Sequence, residues 1–366
     1  MFRREFLHWL LLCGLPWKAS RSLAAAPQFP EVLPRSLRFP RDHGAHPEFR
    51  TEWWYLTGWL EAGGAPTGFQ VTFFRSRTTH DAANPSRFAP HQLLFAHAAL
   101  ARPADPRLRH DQRAARVVRG EPAASFSLDD TDLRLEGWSL QRNARDEYLA
   151  HIVGDNLRIE LRCVPTQPLL LQGEGGYSRK GAKPSQASYY YSRPQLAVSG
   201  RVATDGEWQD ARGRAWLDHE WSSTVLDPAA AGWDWIGINL ADGGALMAFR
   251  IRGREEGRTL WSVARLRTAD GRERSFAGEA VRFEPLATWR SPHTGTVYPT
   301  RLRLRLGNGS AARNYDIHPL MDDQELDARR STGSVYWEGA VEFYADGQTL
   351  GRGYLELVGY HRPMSL

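Results

Sequence analysis

Cysteine is scarce in this chain, since only Cys13 and Cys163 occur among 366 residues. A disulfide framework needs several paired thiols, so it is excluded, and stability must come from a packed core. The same scarcity excludes paired-cysteine zinc sites, and neither a His-Glu-x-x-His motif nor a close-spaced histidine cluster is present. The sequence therefore predicts no bound metal and no cofactor.

Other functional signatures are also missing. No Gly-x-Ser-x-Gly occurs, so a serine hydrolase has little support. Gly173-x-Gly175 is not a dinucleotide fingerprint, because Ser178 stands where the last glycine belongs and no helix is predicted after it. There is no basic patch and no motif of a nucleic-acid-binding module. We therefore expect no nucleic-acid partner. Residues 172–188, which contain Gly173 and Gly175, are interpreted as a mobile loop over the mouth of a β-barrel.

The N-terminal apolar run from Trp9 to Trp17 is too short to span a membrane. It follows the pair Arg3-Arg4 with Phe6-Leu7, which resembles a twin-arginine export signal, and Leu23–Ala26 supplies small residues for cleavage. We predict that residues 1–26 are a signal peptide and that the protein is exported to the periplasm or beyond. Removing them takes away four basic residues and one acidic residue, so the net charge falls from +5 to +2.

Helical periodicity is nearly absent, and only 87–100 is ambiguous between helix and strand. Residues 27–48 form an irregular lead-in. Beyond it apolar and polar residues alternate, most clearly in Arg301–Leu306, and Asp-Gly turn signals recur at 205–206, 242–243, 270–271 and 346–347. Trp53–Gly63 can be laid over Trp233–Gly243 without a gap, which indicates an internal duplication. The prediction is an all-β protein of two antiparallel β-barrel domains, 49–222 and 223–366.

Tryptophan is abundant, with 14 in the chain and twelve beyond the predicted signal. This excess favours barrels that enclose an aromatic-walled cavity. In an extended strand alternate side chains share a face, so Glu52 and Trp54 point one way while Trp53 and Tyr55 point the other. A strand buried on both faces is the simpler interpretation, but a carboxyl group among indoles can have a raised pKa.

Two histidines lie in patterns that can carry chemistry. His219 lies in Asp218-His219-Glu220-Trp221, where it shares a face with Trp221, and His97 lies in an apolar run. For each histidine alone, a hydrogen-bonded core residue is the more common outcome. Tyr190 and Tyr191 add aromatic side chains beside polar groups.

Long, tryptophan-rich motifs occur over nearly the whole mature chain: Thr51–Tyr55, Tyr189–Arg193 with Gly200, Trp216–Trp221, Gly232–Trp235, Trp289 with Thr294-Gly295 and Tyr298-Pro299, Tyr336–Gly339, and Gly353-Tyr354 to Gly359-Tyr360. Together they resemble the motifs of the AttH/CrtC family. The resemblance implies two lipocalin-like barrels in tandem. The family includes carotenoid 1,2-hydratases and secreted proteins described as hydrolases, often encoded near ABC transporter permeases. It also implies acid chemistry at His219, Trp221 and Asp234.

A hydratase mechanism is consistent with these residues. Water adds to an unactivated alkene only after protonation, so the site needs a carboxylic acid kept neutral by apolar surroundings. Asp234, between Trp233 and Trp235 in the sequence, is the candidate acid. Trp221 and Tyr190 would stabilise the cation through their π faces, and His219 would position the water.

A binding protein is the competing hypothesis, because the same aromatic cavity would carry an isoprenoid, carotenoid or lipid without turnover. Its partners would be that hydrophobic molecule and an ABC transporter permease, with peripheral membrane contact. A secreted hydrolase is a weaker alternative. The residues expected to contact the ligand under either hypothesis are Glu52, Trp53, Trp54, Tyr55, His97, Tyr190, Tyr191, Trp233 and Trp235.

Overall fold

The computed structural model describes residues 29–364, except 81–83, 85, 87, 88, 119, 225 and 256. The predicted signal peptide and its cleavage site lie outside the described residues. Within them, helix is limited to the short 3-10 turns Arg41–His43, Gly278–Ala280 and Gly309–Ala311. None of the described helices has the length and apolar character needed to cross a membrane.

Two large antiparallel sheets make up the molecule, and each curls into a barrel-like shape. The first, sheet A, has 13 strands in the order β4-β3-β2-β1-β13-β12-β9-β8-β7-β6-β5, with β10 and β11 paired to β12. Its strands are β1 (Thr51–Ala62), β2 (Ala65–Arg77), β3 (Gln92–Ala101), β4 (Arg109–Arg116), β5 (Ala124–Phe126), β6 (Asp132–Leu135), β7 (Trp138–Arg142), β8 (Tyr148–Val153), β9 (Leu157–Val164), β10 (Leu170–Leu171), β11 (Tyr177–Arg179), β12 (Ala187–Thr204) and β13 (Glu207–Thr224).

Sheet B has ten strands in the order β17-β16-β15-β14-β23-β22-β20-β19-β18, with β21 paired to β22, and β16 and β18 come into contact. Its strands are β14 (Ala230–Leu240), β15 (Ala245–Gly253), β16 (Thr259–Arg267), β17 (Glu273–Ala277), β18 (Val281–Arg290), β19 (Val297–Leu306), β20 (Arg313–Pro319), β21 (Glu325–Ala328), β22 (Ser334–Ala345) and β23 (Gln348–Leu357). The predicted all-β fold of two tandem lipocalin-like barrels is therefore confirmed, and the ambiguous run 87–100 contributes to β3.

The two sheets repeat one arrangement. In each, the first strand lies between the second strand and a late one, since β1 pairs with β2 and β13 while β14 pairs with β15 and β23. The hairpins that the sequence comparison overlays are thus equivalent in space. All four Asp-Gly pairs lie at turns, and Asp205-Gly206 and Asp346-Gly347 have positive φ at both residues, the conformation that tight hairpins require. The chain passes from sheet A to sheet B between Thr224 and Ala230.

Both barrel interiors are filled by side chains. In barrel 1 (sheet A) they include Leu56, Val71 and Leu217, and in barrel 2 (sheet B) they include Ile236 and Leu304. Each of these five is fully buried. Large fully buried aromatic side chains from both barrels pack there as core. The large cavities found among the described residues lie along the seam between the barrels. The sequence predicted an aromatic-walled cavity inside a barrel, whereas both of these cavities lie at the interface between the barrels.

Candidate functional site

Alternation along β1 and β13 separates the predicted site residues into two groups. The interior face of barrel 1 holds Glu52 and Trp54, which pair across the strands with Trp221 and His219. The opposite face, which points toward barrel 2, holds Trp53 and Tyr55, which pair with Glu220 and Asp218. The alternation of the sequence predicts this division of faces. The predicted ligand site nevertheless combines residues from both faces.

The interior group is a closed hydrogen-bond network centred on Glu52. One oxygen of Glu52, Oε1, lies 2.7 Å from Nδ1 of His46 and 2.9 Å from Nε2 of His219. The other, Oε2, accepts from Nε of Arg75 at 2.9 Å. The network continues from His219 Nδ1 to the hydroxyl of Tyr191 at 3.2 Å, and His219 stacks on Trp54. These side chains are fully buried or nearly so.

Charge compensation is complete in this network. Although burial alone would raise the pKa of Glu52, the nearby charges of His46 and Arg75 hold that pKa well below its usual range. Burial lowers the pKa of His219 to about 4 against the opposing influence of Glu52, so its imidazole is neutral near pH 7. Neither His219 nor Trp221, both predicted as catalytic, lines a described cavity.

Three interior side chains have the spacing of metal ligands. His46, Glu52 and His219 place one ligand atom each within 4.8 Å of one another. The sequence pattern does not show this group, because the lead-in that carries His46 folds back onto barrel 1. Hydrogen bonds and the Arg75 ion pair already engage both oxygens of Glu52, so a metal ion at this position would compete with Arg75 for that carboxylate.

Asp234 does not lie among indoles. Its side chain faces the interior of barrel 2, on the side of β14 opposite to Trp233 and Trp235, because neighbouring residues of a strand face opposite ways. There it accepts from Arg250 at 2.6 Å and Arg252 at 2.9 Å. The Asp234 carboxyl group is therefore paired with two guanidinium groups in barrel 2 and does not line the inter-barrel cavity.

A cavity of about 370 Å³ lies between the barrels. Its walls are mainly aromatic and apolar, and they combine β1, β2 and β3 of barrel 1 with β14, β15 and β22 of barrel 2. The Tyr55 and Trp235 rings meet edge to face at 5.2 Å. The lining includes Trp53, Tyr55, Phe74, Phe95, His97, Leu226, Trp233, Trp235, Phe249, Ile251, Tyr336 and Val358.

Asp218 is one of the carboxyl groups of this cavity and is 3% exposed. It accepts three hydrogen bonds: from Tyr190 at 2.6 Å, from Ser192 at 2.5 Å and from Trp216 at 2.7 Å. Burial raises the pKa of Asp218 to about 7, and the three donors oppose that rise. This carboxyl group is held in a fixed orientation and changes protonation near neutral pH.

Glu356 and Glu338 face each other across β23 and β22. Glu356 lines the cavity and accepts a single hydrogen bond, from the indole of Trp233 at 2.7 Å. Burial raises the pKa of Glu356 to about 7, and Asp218 and Glu220 add to the rise. Burial and the neighbouring Glu356 hold the pKa of Glu338 well above its usual range, while Glu338 accepts from the Tyr55 hydroxyl. This pair therefore stores a proton near neutral pH.

Lys180 brings a positive charge to the cavity from the segment between β11 and β12. Its ammonium lies 2.8 Å from Glu220 and over the rings of Tyr190 and Phe249, at 4.7 and 4.1 Å. Lys180 lies within residues 172–188, which were predicted to be a mobile loop over a barrel mouth. In the structure part of this segment is strand β11, which pairs with β12, so the segment is not wholly irregular.

His97 contributes to the cavity wall as a neutral ring. Burial lowers its pKa to about 3. Its Nδ1 lies 2.6 Å from the hydroxyl of Tyr336 and its Nε2 lies 2.8 Å from Ser331, so the ring links the two barrels. Of the predicted ligand-contacting residues, Glu52, Trp53, Tyr55, His97, Trp233 and Trp235 line the cavity. Tyr190 donates to the cavity residue Asp218, and Trp54 and Tyr191 lie with Glu52 in the barrel 1 network.

A larger groove of about 830 Å³ lies elsewhere on the seam, near Trp59 and Arg214. The carboxyl group that lines it belongs to Glu61, which is exposed and lies at the end of β1. Buried carboxyl groups with shifted pKa values converge on the smaller cavity. Because such groups cluster at functional sites, the smaller cavity is the candidate site.

The comparisons with known proteins agree with this fold. The profile of the AttH-like family matches residues 30–360. A crystal structure of an AttH candidate from Nitrosomonas europaea is 50% identical, covers 91% of this chain and all of its own, and has a TM-score of 0.84. No curated protein matches the chain.

Two more distant structures share the architecture alone. Kievitone hydratase from Nectria haematococca is 14% identical, with a TM-score of 0.64 and coverage of 91% of this chain and 98% of its own. CghA with Sch210972 is 13% identical, with a TM-score of 0.50 and coverage of 85% and 89%. The family profile spans most of the chain, and the predicted resemblance to AttH is confirmed: the protein belongs to the AttH-like family.

Proposed function

We propose that the protein binds a hydrophobic isoprenoid-like molecule in the inter-barrel cavity and adds water to a carbon–carbon double bond by acid catalysis. The observation that carries the proposal is the presence of Asp218 and Glu356, each with a pKa raised to about 7, in one aromatic-walled cavity. A carboxylic acid that remains partly protonated near pH 7 is the group that alkene protonation needs.

The two carboxyl groups differ in their hydrogen-bond partners, and this difference assigns their roles. Asp218 accepts from three donors, which stabilise its carboxylate form. Glu356 accepts from Trp233 among the described residues, and burial with the nearby charges of Asp218 and Glu220 favours its protonated form. Glu356 is therefore the proposed acid, and Asp218 is the proposed base that orients the water.

The reaction then proceeds in two balanced steps. The Glu356 proton forms a bond to one alkene carbon and leaves a tertiary cation, which the rings of Trp53 and Trp235 stabilise through their π faces. Water bonds to the cation and loses a proton to Asp218. Proton exchange with solvent restores both carboxyl groups, so the net change is the addition of one water molecule. The walls of the cavity exclude other water from the cation.

The structural relatives support this class of reaction. Kievitone hydratase, whose name describes a hydration, shares the two-barrel fold. At 14% identity this similarity supports a shared fold only. The proposal therefore rests mainly on the carboxyl groups of the inter-barrel cavity.

A carrier is the second candidate, favoured by the predominance of apolar and aromatic residues in the cavity wall. In that case the ligand would pass unchanged to a partner such as an ABC transporter permease.

We retain twin-arginine export as a proposal that rests on Arg3 and Arg4.

Isotope incorporation tests the proposal. Purified protein is incubated with geraniol or lycopene in ¹⁸O-labelled water, and mass spectrometry detects a labelled tertiary alcohol. Glu356→Gln keeps the shape of the side chain but cannot deliver the proton, so turnover should fall by about 10²–10⁴-fold. Asp234→Asn is the matched control and should retain most turnover, because that side chain faces the barrel 2 interior.

Absence of labelled product from the wild-type protein with either substrate, together with ligand binding, would favour the carrier. Equal turnover by the wild-type protein and Glu356→Gln would remove Glu356 from the mechanism. Loss of turnover in Asp234→Asn with an intact fold would restore the role first suggested by the sequence.

A further inference from the structure

Carboxyl groups without a cationic partner lie at the inter-barrel cavity. Asp218 accepts from a phenol, an alcohol and an indole, and Glu356 accepts from the indole of Trp233. Among the described residues, no arginine, lysine or histidine forms an ion pair with either carboxyl group, or with Glu338, which pairs with Glu356 across the strands. Positive charge brought by a ligand would therefore stabilise their carboxylate forms.

The cations of the cavity lining are engaged elsewhere. Arg75 pairs with Glu52 at 2.9 Å, and Lys180 pairs with Glu220 at 2.8 Å. Among the described lining residues the remaining cation is Arg50, which precedes β1 and lies 5.9 Å from the centroid of an aromatic ring. The protein itself thus supplies paired cations to two carboxylates of the lining and leaves Asp218 and Glu356 without one.

Lys180 shows how this cavity accommodates an ammonium group. Its Nζ lies 4.7 Å from the ring centroid of Tyr190 and 4.1 Å from that of Phe249, within the range of about 6 Å at which a ring face attracts a cation. The residue is only 6% exposed. The two rings and the carboxylate of Glu220 therefore replace most of the water that the ammonium group loses.

The unpaired carboxyl groups share the lining with further aromatic side chains. Trp53 and Trp235 line the cavity together with Asp218 and Glu356. Ring faces attract an organic cation, and its alkyl groups bury apolar surface against the same rings. We propose that the cavity binds an organic ammonium ion, either a quaternary ammonium or a protonated tertiary amine, with its charge against Asp218 and Glu356.

This inference rests on the proposed function for the location of the site. In the proposed reaction the same walls face a tertiary carbocation, and a quaternary ammonium ion carries the same charge without reacting. A stable ion that resembles a charged intermediate binds more tightly than the neutral substrate. Such an ion should therefore inhibit hydration competitively, and its binding can be measured without turnover.

Choline and its neutral carbon isostere test the role of charge. The isostere is the dimethylbutanol in which a carbon atom replaces the charged nitrogen, so the two probes share a shape and differ in charge. Isothermal titration calorimetry at pH 8 should show at least about tenfold tighter binding of choline. Equal affinity for the two probes, or no binding of choline, would overturn the inference.

Glu356→Gln tests whether a cavity carboxylate receives the charge. At pH 8 this variant should bind choline at least about tenfold more weakly and should bind the neutral isostere as the wild-type protein does. Glu61→Gln is the matched control and should leave both affinities unchanged, because Glu61 lies outside the lining of this cavity. Full choline affinity in a folded Glu356→Gln protein, or an equal loss in Glu61→Gln, would contradict the assignment.

Lys180→Met provides an opposite change. It removes the resident ammonium group and keeps the length of the side chain, so choline should bind at least about threefold more tightly, whereas Lys180→Arg should stay close to wild type. Unchanged or weaker choline binding in a folded Lys180→Met protein would count against the site.

The hydration assay separates this inference from the proposed function. Choline binding with the expected charge preference, but without labelled alcohol from geraniol, would contradict hydration and leave the ammonium site intact. Labelled alcohol without any preference for choline over its isostere would overturn the ammonium site alone.

Discussion

The two faces of the paired strands β1 and β13 place buried carboxyl groups in opposite electrostatic settings. On the interior face, His219 belongs to a network in which Arg75 and His46 keep the pKa of Glu52 well below its usual range. On the cavity face, burial raises the pKa of Asp218 to about 7. Burial is the largest influence on the pKa of both carboxyl groups, and in both it raises the pKa. The cations paired with a carboxyl group therefore decide whether it stays charged. The interior network stabilises the barrel, and the cavity face retains protonatable groups.

Removing the cation from the interior network should have the largest effect on stability. Arg75→Met leaves Glu52 buried without its guanidinium partner, and loss of one member of a buried ion pair typically costs about 3–5 kcal/mol. Guanidinium chloride denaturation at pH 7 measures this free energy of unfolding.

Arg109→Met is the matched control for that measurement. Arg109 pairs with Asp205, which is 69% exposed, so the loss should be about 1 kcal/mol or less. If Arg75→Met destabilises the protein no more than Arg109→Met, Glu52 is not held by charge compensation.

A smaller effect is expected for the pH dependence of Glu356→Gln. The folded pKa of Glu356 is raised to about 7, so between about pH 4.5 and 7 the folded protein keeps a proton that the unfolded chain has lost. The stability linked to this group is complete below that window and is lost as pH rises through about 7. Glutamine does not titrate, so the variant should gain on the order of 1–3 kcal/mol relative to wild type between pH 5 and 8.

Thermal or denaturant unfolding at several pH values measures this difference. Glu61→Gln, at an exposed site at the end of β1, is the matched substitution and should show no comparable gain. A difference between Glu356→Gln and wild type that is constant from pH 5 to 8 would show that Glu356 is charged in the folded protein, and would contradict its proposed role as the acid.

Much of the fold could be predicted from local sequence signals. Alternation in Arg301–Leu306 and the Asp-Gly pairs mark strands and turns, and the Trp53 and Trp233 hairpins indicate the repeat. The contact between barrels could not be predicted, because it brings together residues far apart in the chain. Glu338 and Glu356 become neighbours only when β22 pairs with β23, and neither was predicted as a site residue.

The candidate site was predicted only in part for the same reason. Trp53, Tyr55 and Trp235 line a cavity, but that cavity lies along the seam between the barrels and not inside one barrel. Asp218 had a usable signal, since alternation places it on the face opposite His219. The partners of Asp234 could not be inferred from its flanking indoles, because Arg250 and Arg252 come from the neighbouring strand β15.

The location of a bound ligand tests the central claim most directly. Crystals of the protein are soaked with a bromine-labelled prenyl alcohol, and anomalous scattering locates the bromine. We predict a single strong peak in the inter-barrel cavity, near Trp235 and Glu356, that is lost when Trp233→Ala opens the wall. A peak inside barrel 1 beside His219, or only in the groove near Trp59, would contradict it.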